Sequence, residues 1–170
     1  MNNKGITLIE LLLSLAFMMA IVGLIFNIYI MSKRVFNASV EQSFTQKNSR
    51  LVSDFIIKEL RNAKVIEMDE NNIKNKGNRY YCLSIKNDGY NNYLAKQTIE
   101  NGEIISENQY GNNLENIIFM STEEKEIMKV IVISKEKEKE FEIEFEFLLN
   151  NIDKLNVNIE GSNRIYYLKR

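Results

Sequence analysis

Residues 4 to 26, KGITLIELLLSLAFMMAIVGLIF, form an almost unbroken apolar run with one carboxylate, Glu10, near its front edge. From Leu11 to Phe26 there is no charged side chain, and after Asn27 the run resumes as IYIM before Lys33 and Arg34 close it. A helix of about 20 residues rising 1.5 Å each spans a ~30 Å hydrocarbon core, so the segment is long enough to cross a membrane. The core helix of a small soluble domain keeps a polar stripe, and this run has none before Lys33.

A secretory signal peptide has a shorter apolar stretch followed by a small-x-small cleavage site, which NIYIMSKR does not offer. A plain membrane anchor remains, and flanking charge does not orient it, because Lys4 and the α-amine on one side balance Lys33 and Arg34 on the other. Neither reading accounts for Glu10. An ionised carboxylate at membrane depth costs at least ~2.5 kcal/mol unless it sits near the interface or finds a partner.

The stretch KGITLIELLLSLAFMMAIVGLI resembles the class III leader and N-terminal helix of type IV prepilins and of type II secretion pseudopilins. The resemblance implies that Lys4 is the basic residue of a leader spanning residues 1–5 and that Gly5 is its last residue. Ile6 becomes the new, N-methylated terminus after a prepilin peptidase cuts, and Glu10 is the signature acid. Glycine before the cut lets a peptidase approach the backbone closely. In the family's assembly scheme the freed amine of one subunit meets the glutamate of its neighbour, so two charges that are costly apart in lipid become tolerable together. The implied partners are the peptidase, other pilin subunits of the same fibre, the cytoplasmic membrane and the pilus assembly platform. Two positions depart from the common pattern: Ile6 stands where phenylalanine is usual, and Asn27 lies where major pilins often carry proline, with Gly23 as a nearby weak point in the helix.

Composition narrows the chemistry. Lys and Arg total 22 against 23 Asp and Glu, a formal charge of -1, which gives no electrostatic footprint for nucleic acid. Histidine is absent and Cys82 is the only cysteine, which removes intramolecular disulfides, His-based or Cys-cluster metal sites, and His-dependent catalytic dyads. No nucleophile, base and orienting group, and no phosphate loop, stand out, so neither an enzyme activity nor a cofactor or metal is expected. Cys82, within the apolar and β-prone RYYCLSIK, reads as a small buried hydrophobe.

Beyond the apolar run, Phe36, Val40, Phe44, Leu51 and Phe55 recur at helical steps, thickened by Val52, Ile56, Leu60 and Ala63. Residues 6–32 therefore read as a transmembrane or fibre-core helix and residues 33–66 as an amphipathic continuation whose apolar stripe faces one way, onto its own sheet. A coiled coil is the competing explanation, but the stripe lacks sustained a/d heptads. NSRLVSDFIIKELRNAKVI also resembles the second helical half of J-type pseudopilins and PilW-like minor pilins, through Leu51, Asp54, Glu59, Leu60, Arg61 and Ala63.

Residues 69–78, DENNIKNKGN, read as a loop, after which the period changes to two. Strands are expected at 79–86, 93–99, 103–106, 117–121, 127–134, 141–149 and 165–168, joined by the turn-like NDGYNN, ENGE and YGNN. KVIVISKEKEKEFEIEFEF reads as an antiparallel hairpin with a solubilising charged tip at 135–140. Period two places Glu142, Glu144 and Glu146 on one solvated face. Tyr80, Tyr81, Tyr90, Tyr93 and Tyr110 divide between core and sheet surface, or line a face for a carbohydrate or protein partner.

The expected fold is α+β and pilin-like: a long N-terminal helix packed on a β-rich domain, residues 67–170, with antiparallel pairing. The expected role is that of a minor pilin or pseudopilin, inserted in the cytoplasmic membrane and then assembled into a surface fibre. The alternative is a single-pass, membrane-tethered binding module that never polymerises.

Overall fold

Helix α1 (Leu8–Leu60) accounts for nearly a third of the chain, and no proline interrupts it. The computed structural model describes residues 7–122, 126–136, 139–150, 152–157 and 161–169. These fall into two units divided between Gln42 and Ser43, and α1 runs through the division.

In the first unit the large apolar side chains of α1 are exposed, from Leu8 to Met31 with Ile30 half-buried, and on through Val35, Phe36 and Val40. This is the one helix among the described residues that is long and apolar enough to cross a membrane. Asn27 stands where the apolar run is interrupted, and its amide Nδ2 donates to the carbonyl of Gly23 one turn earlier at 3.0 Å. The two positions flagged for helix weakness are thus joined by a hydrogen bond that gives the Asn27 amide a partner inside the helix.

The second unit is α+β. After α1 come β1 (Ala63–Glu67), the short α2 (Glu70–Lys74), β2 (Arg79–Asn87), β3 (Asn92–Glu100), β4 (Glu103–Tyr110), β5 (Leu114–Ser121), β6 (Ile127–Glu136), β7 (Lys139–Leu148), β8 (Lys154–Asn156) and β9 (Arg164–Lys169). They build a six-stranded sheet, β4-β3-β2-β9-β1-β8, and a three-stranded sheet, β5-β6-β7. Pairing is antiparallel except between β1 and β8, which run parallel, so the larger sheet is mixed. The bridge Phe119–Ser162 ties the two sheets.

The C-terminal part of α1 packs on this assembly. Val52, Ile56 and Leu60 meet Leu83, Leu94, Ile165 and Tyr167 of the larger sheet and Ile117, Phe119, Val130 and Val132 of the smaller one in a single core. Each such burial stabilises by about 2 kcal/mol. Thr45, Ser49 and Ser53, one turn apart, are buried on the same side of the helix. The serine hydroxyls have partners: Ser49 donates to the Thr45 carbonyl at 3.0 Å, Ser53 to that of Ser49 at 2.8 Å, and the Ser49 and Ser134 hydroxyls lie 2.6 Å apart between α1 and β6.

Three local expectations are corrected. The helix does not continue to residue 66; it ends at Leu60, and after a turn at Arg61 and Asn62 the β-branched Val65 and Ile66 enter β1. The apolar positions of α1 do not face one way. Phe36, Val40, Phe44 and Leu51 remain exposed, whereas Thr45, Ser49, Val52 and Ile56 meet the sheets; within the second unit, at 100° per residue, Phe44 and Leu51 lie roughly 120° around the axis from the buried set. Within the expected loop at 69–78, Asp69 caps α2 by accepting the Asn71 N–H at 2.9 Å, and Ile73 is buried against Tyr80, Cys82 and Tyr166.

All seven expected strands are present, several extended by a few residues. The β6–β7 hairpin pairs Val130 with Phe145 and Val132 with Ile143, and Glu142, Glu144 and Glu146 are exposed on one face.

Candidate functional site

Glu10 lies in the first turn of α1, where its carboxylate closes a ring with Thr7. The Thr7 N–H and hydroxyl both donate to Glu10 Oε2, at 3.0 and 2.9 Å, and the Glu10 N–H points back at Thr7 Oγ1 at 3.4 Å. This is a capping box. A threonine at the N-cap and a glutamate three residues on satisfy each other's backbone donors, which a helix start leaves without intrahelical partners. The negative charge also sits at the positive end of the helix dipole. The T-x-x-E spacing of Thr7 and Glu10 is the signal that would have found it in the sequence.

Lys4, Gly5 and Ile6 lie outside the described residues. Their covalent relation to the box is nonetheless fixed: Ile6 immediately precedes Thr7, so an amine freed at Ile6 stands one peptide unit ahead of the N–H that Glu10 accepts. Glu10 is thus partnered by donors of its own first turn.

The second flank of the site is the exposed side of α1. Beyond Lys33 and Arg34 the apolar side chains Val35, Phe36 and Val40 are solvent-facing in the first unit, with Phe36 68% exposed. Phe44 and Leu51 are exposed in the second. Against the first unit's 35 helical residues, about 50 Å of helix, a bilayer core of ~30 Å covers only part.

The buried charges of the second unit are structural. Glu59, in the last turn of α1, accepts from Tyr167 Oη at 2.6 Å, Lys96 Nζ at 2.7 Å and Lys169 Nζ at 2.8 Å. Burial pushes its carboxyl up, but Lys169, Lys96 and Tyr167 together outweigh burial and hold it below the usual carboxylate range. Glu67 of β1 is fully buried and gathers Lys76, Asn156 Nδ2 at 2.7 Å and Lys154 at 3.5 Å, binding β8 and the segment after α2 to β1. Its carboxyl too is held low, burial being overcome by these donors. Lys96 additionally lies 5.1 Å from the Tyr81 ring centroid.

Cys82 is buried on β2 beside Tyr80 and Tyr166, and burial pushes its thiol up to about 11. The five tyrosines grouped in the sequence do not share one surface. Tyr80 is buried and donates to Glu70 at 2.7 Å, Tyr93 is buried, Tyr81 stacks on Tyr167, and Tyr110 stacks on Phe55 of α1. Tyr90 alone of the five is fully in solvent. Among the described residues no group of three or more His, Cys, Asp or Glu is placed to hold a metal ion.

Compared with protein-family models, curated proteins and solved structures, the chain matches none.

Proposed function

We propose that this chain is a minor pilin or pseudopilin: a non-enzymatic subunit that waits in the cytoplasmic membrane, loses residues 1–5 to a prepilin peptidase, and is added to a helical fibre at the cell surface. The observation that carries the reading is the exposed apolar side of α1, which continues past the basic pair Lys33 and Arg34 to Val35, Phe36 and Val40. A lone anchor leaves these side chains in water beyond the bilayer, at a cost of about 2 kcal/mol for each large one. Packing against the helices of neighbouring subunits covers them.

Glu10 fits the same scheme. Its carboxylate is exposed at the start of the helix, adjacent in sequence to the Gly5–Ile6 cleavage position, and an N-methylated Ile6 amine on a neighbouring subunit supplies the opposite charge when the axial stagger is right. Whether the fibre serves adhesion, motility, DNA uptake or secretion is set by its other components.

The second reading is a single-pass, membrane-tethered binding module. It is favoured by the Thr7–Glu10 capping box, which gives the carboxylate partners within its own chain. The two readings part at the leader. Co-expression with a prepilin peptidase followed by intact-mass measurement is expected to show loss of residues 1–5, with or without one added methyl group. A chain that stays whole in the presence of an active peptidase overturns the pilin reading.

A further inference from the structure

Tyr90 stands at the tip of the β2–β3 hairpin with 93% of its surface exposed, in a unit that buries Tyr80, Tyr93, Tyr166, Tyr167 and Phe119. It is not on a loose tip. The Asp88 carboxylate accepts the N–H groups of Tyr90 at 2.9 Å and Asn91 at 2.8 Å. Asn87 accepts the Gly89 N–H at 2.6 Å and donates its amide to Asn92 Oδ1 at 2.6 Å. The hairpin thus fixes the backbone that carries this exposed ring, which lowers the cost of ordering the turn when a ligand binds.

Beside the ring lies an open cleft of about 330 Å³. Its wall comes from Tyr90, Asn91 and Asn92 on one side and Asn113, Glu115 and Lys135 on the other, so it lies where the hairpin of the larger sheet meets β5 and β6 of the smaller one. The lining is rich in side-chain amides, each carrying both donors and an acceptor. The Asn91 side chain makes no hydrogen bond among the described residues. The two formal charges in the lining neutralise each other, with Lys135 Nζ 3.5 Å from Glu115 Oε1. An ion gains little in such a cleft, and apart from the Tyr90 ring its apolar lining comes from Leu114, which is itself buried in the core.

A ligand that matches carries many hydroxyls that donate and accept at once, one apolar C–H face for an aromatic ring, and no net charge. We propose that this cleft binds a neutral hexopyranose unit, with Tyr90 against the C–H face of the sugar and the Asn91 and Asn92 amides and the Glu115–Lys135 pair on its hydroxyls. The cleft is at the lower end of the volumes that hold small ligands, which sets the bound portion at one or two sugar rings. The proposal does not depend on the fibre reading: a tethered module and a fibre subunit both present this hairpin.

The test is saturation-transfer NMR on the full chain in phosphatidylcholine nanodiscs, which avoids detergents with sugar head groups. The probes are the methyl glycosides of glucose, galactose, mannose, N-acetylglucosamine and N-acetylgalactosamine at millimolar concentration. At least one is expected to receive saturation at its ring C–H protons. Tyr90→Ala abolishes the transfer, Tyr90→Phe keeps it, and Asn91→Ala weakens binding about fivefold. Because Tyr90 is exposed, the Tyr90→Ala chain keeps the melting temperature of the parent, so loss of signal is loss of the site. No transfer to any of the five glycosides overturns the proposal, and so does transfer that survives unchanged in Tyr90→Ala.

Discussion

The phenol of Tyr167 donates a 2.6 Å hydrogen bond to Oε2 of Glu59, joining β9 to the last turn of α1 across 108 positions of chain. Lys96 and Lys169 complete the set around the same carboxylate. Because the helix is a separate layer from the sheet, this cluster fixes the helix's rotation about its axis as well as its position. Apolar packing alone leaves rotation less well defined.

Tyr167→Phe removes one donor from a carboxylate that keeps two lysines, so the expected cost is about 1 kcal/mol, whereas Glu59→Gln strips both lysines of their counter-charge and costs about 2 kcal/mol. The pH dependence has a definite sign. The Glu59 carboxyl is held low in the folded chain, so its stabilisation is present above the unfolded value near 4.3 and is lost as pH falls through the folded value. Glu67 adds to the same acid-side loss. Urea unfolding of the β-rich unit, followed from neutral pH down to about pH 3, is expected to show a shallower acid decline in Glu59→Gln than in the parent. Equal slopes remove Glu59 from the account.

Gly111 and Gly23 separate two meanings of glycine. Gly111, at φ +67°, turns the chain between β4 and β5 so close to α1 that a methyl group there collides with Val52 Cγ2. Gly111→Ala is expected to cost about 2 kcal/mol through strain and displacement of Val52 from the core. Gly23 has nothing within 4 Å of the same added methyl and sits in mid-helix, so Gly23→Ala gains helix propensity of about 1 kcal/mol. Melting of the β-rich unit should fall in the first variant only.

Cys82 should resist thiol reagents. The thiolate is the reacting form, and a thiol pushed up to about 11 by burial supplies almost none of it at neutral pH. Labelling by a maleimide or disulfide reagent is expected to be slow in the native chain and fast once the sheet is unfolded with urea. Rapid native labelling shows that β2 opens where the packing around Tyr80 and Tyr166 keeps it closed.

Much of the framework could be read from the chain because it is encoded locally. The two-residue alternation through Val130, Val132, Phe145 and Phe147 and the turn residues around Asp88 and Gly102 each specify their own element. What escaped depends on partners distant in sequence. Residues Ala63–Glu67 follow a helix after only a two-residue turn and carry apolar residues compatible with its continuation; only pairing with β9 and the three-residue β8 makes them a strand. The split of α1 into two faces was hidden for the same reason. Periodicity finds Phe44 and Leu51, but Thr45 and Ser49 are buried because small side chains let the helix approach the sheet. The Glu59 and Glu67 clusters draw their lysines from other elements, Lys96 and Lys169 for one and Lys76 and Lys154 for the other, which no local pattern announces. The capping box differs: Thr7 and Glu10 are three residues apart, a spacing readable in the sequence alone.

The capping role of Glu10 and its proposed role in assembly are separable by experiment. Glu10→Gln keeps an acceptor for the Thr7 N–H, since glutamine closes a capping box as glutamate does, but removes the charge. Thr7→Val does the reverse, deleting the hydroxyl that both donates to Glu10 and accepts its N–H while leaving the carboxylate ionised. Loss of the cap costs about 1 kcal/mol and is confined to the first turn, so faster amide exchange at the start of α1 is expected in Thr7→Val and not in Glu10→Gln. If Glu10 serves fibre assembly through a neighbour's amine, Glu10→Gln is cut after Gly5 and stays in the membrane yet enters sheared fibres poorly, while Thr7→Val is incorporated close to the parent level. The opposite pattern, with Glu10→Gln assembling normally and Thr7→Val failing, assigns the acid to capping its own helix and dismisses the intermolecular charge pair.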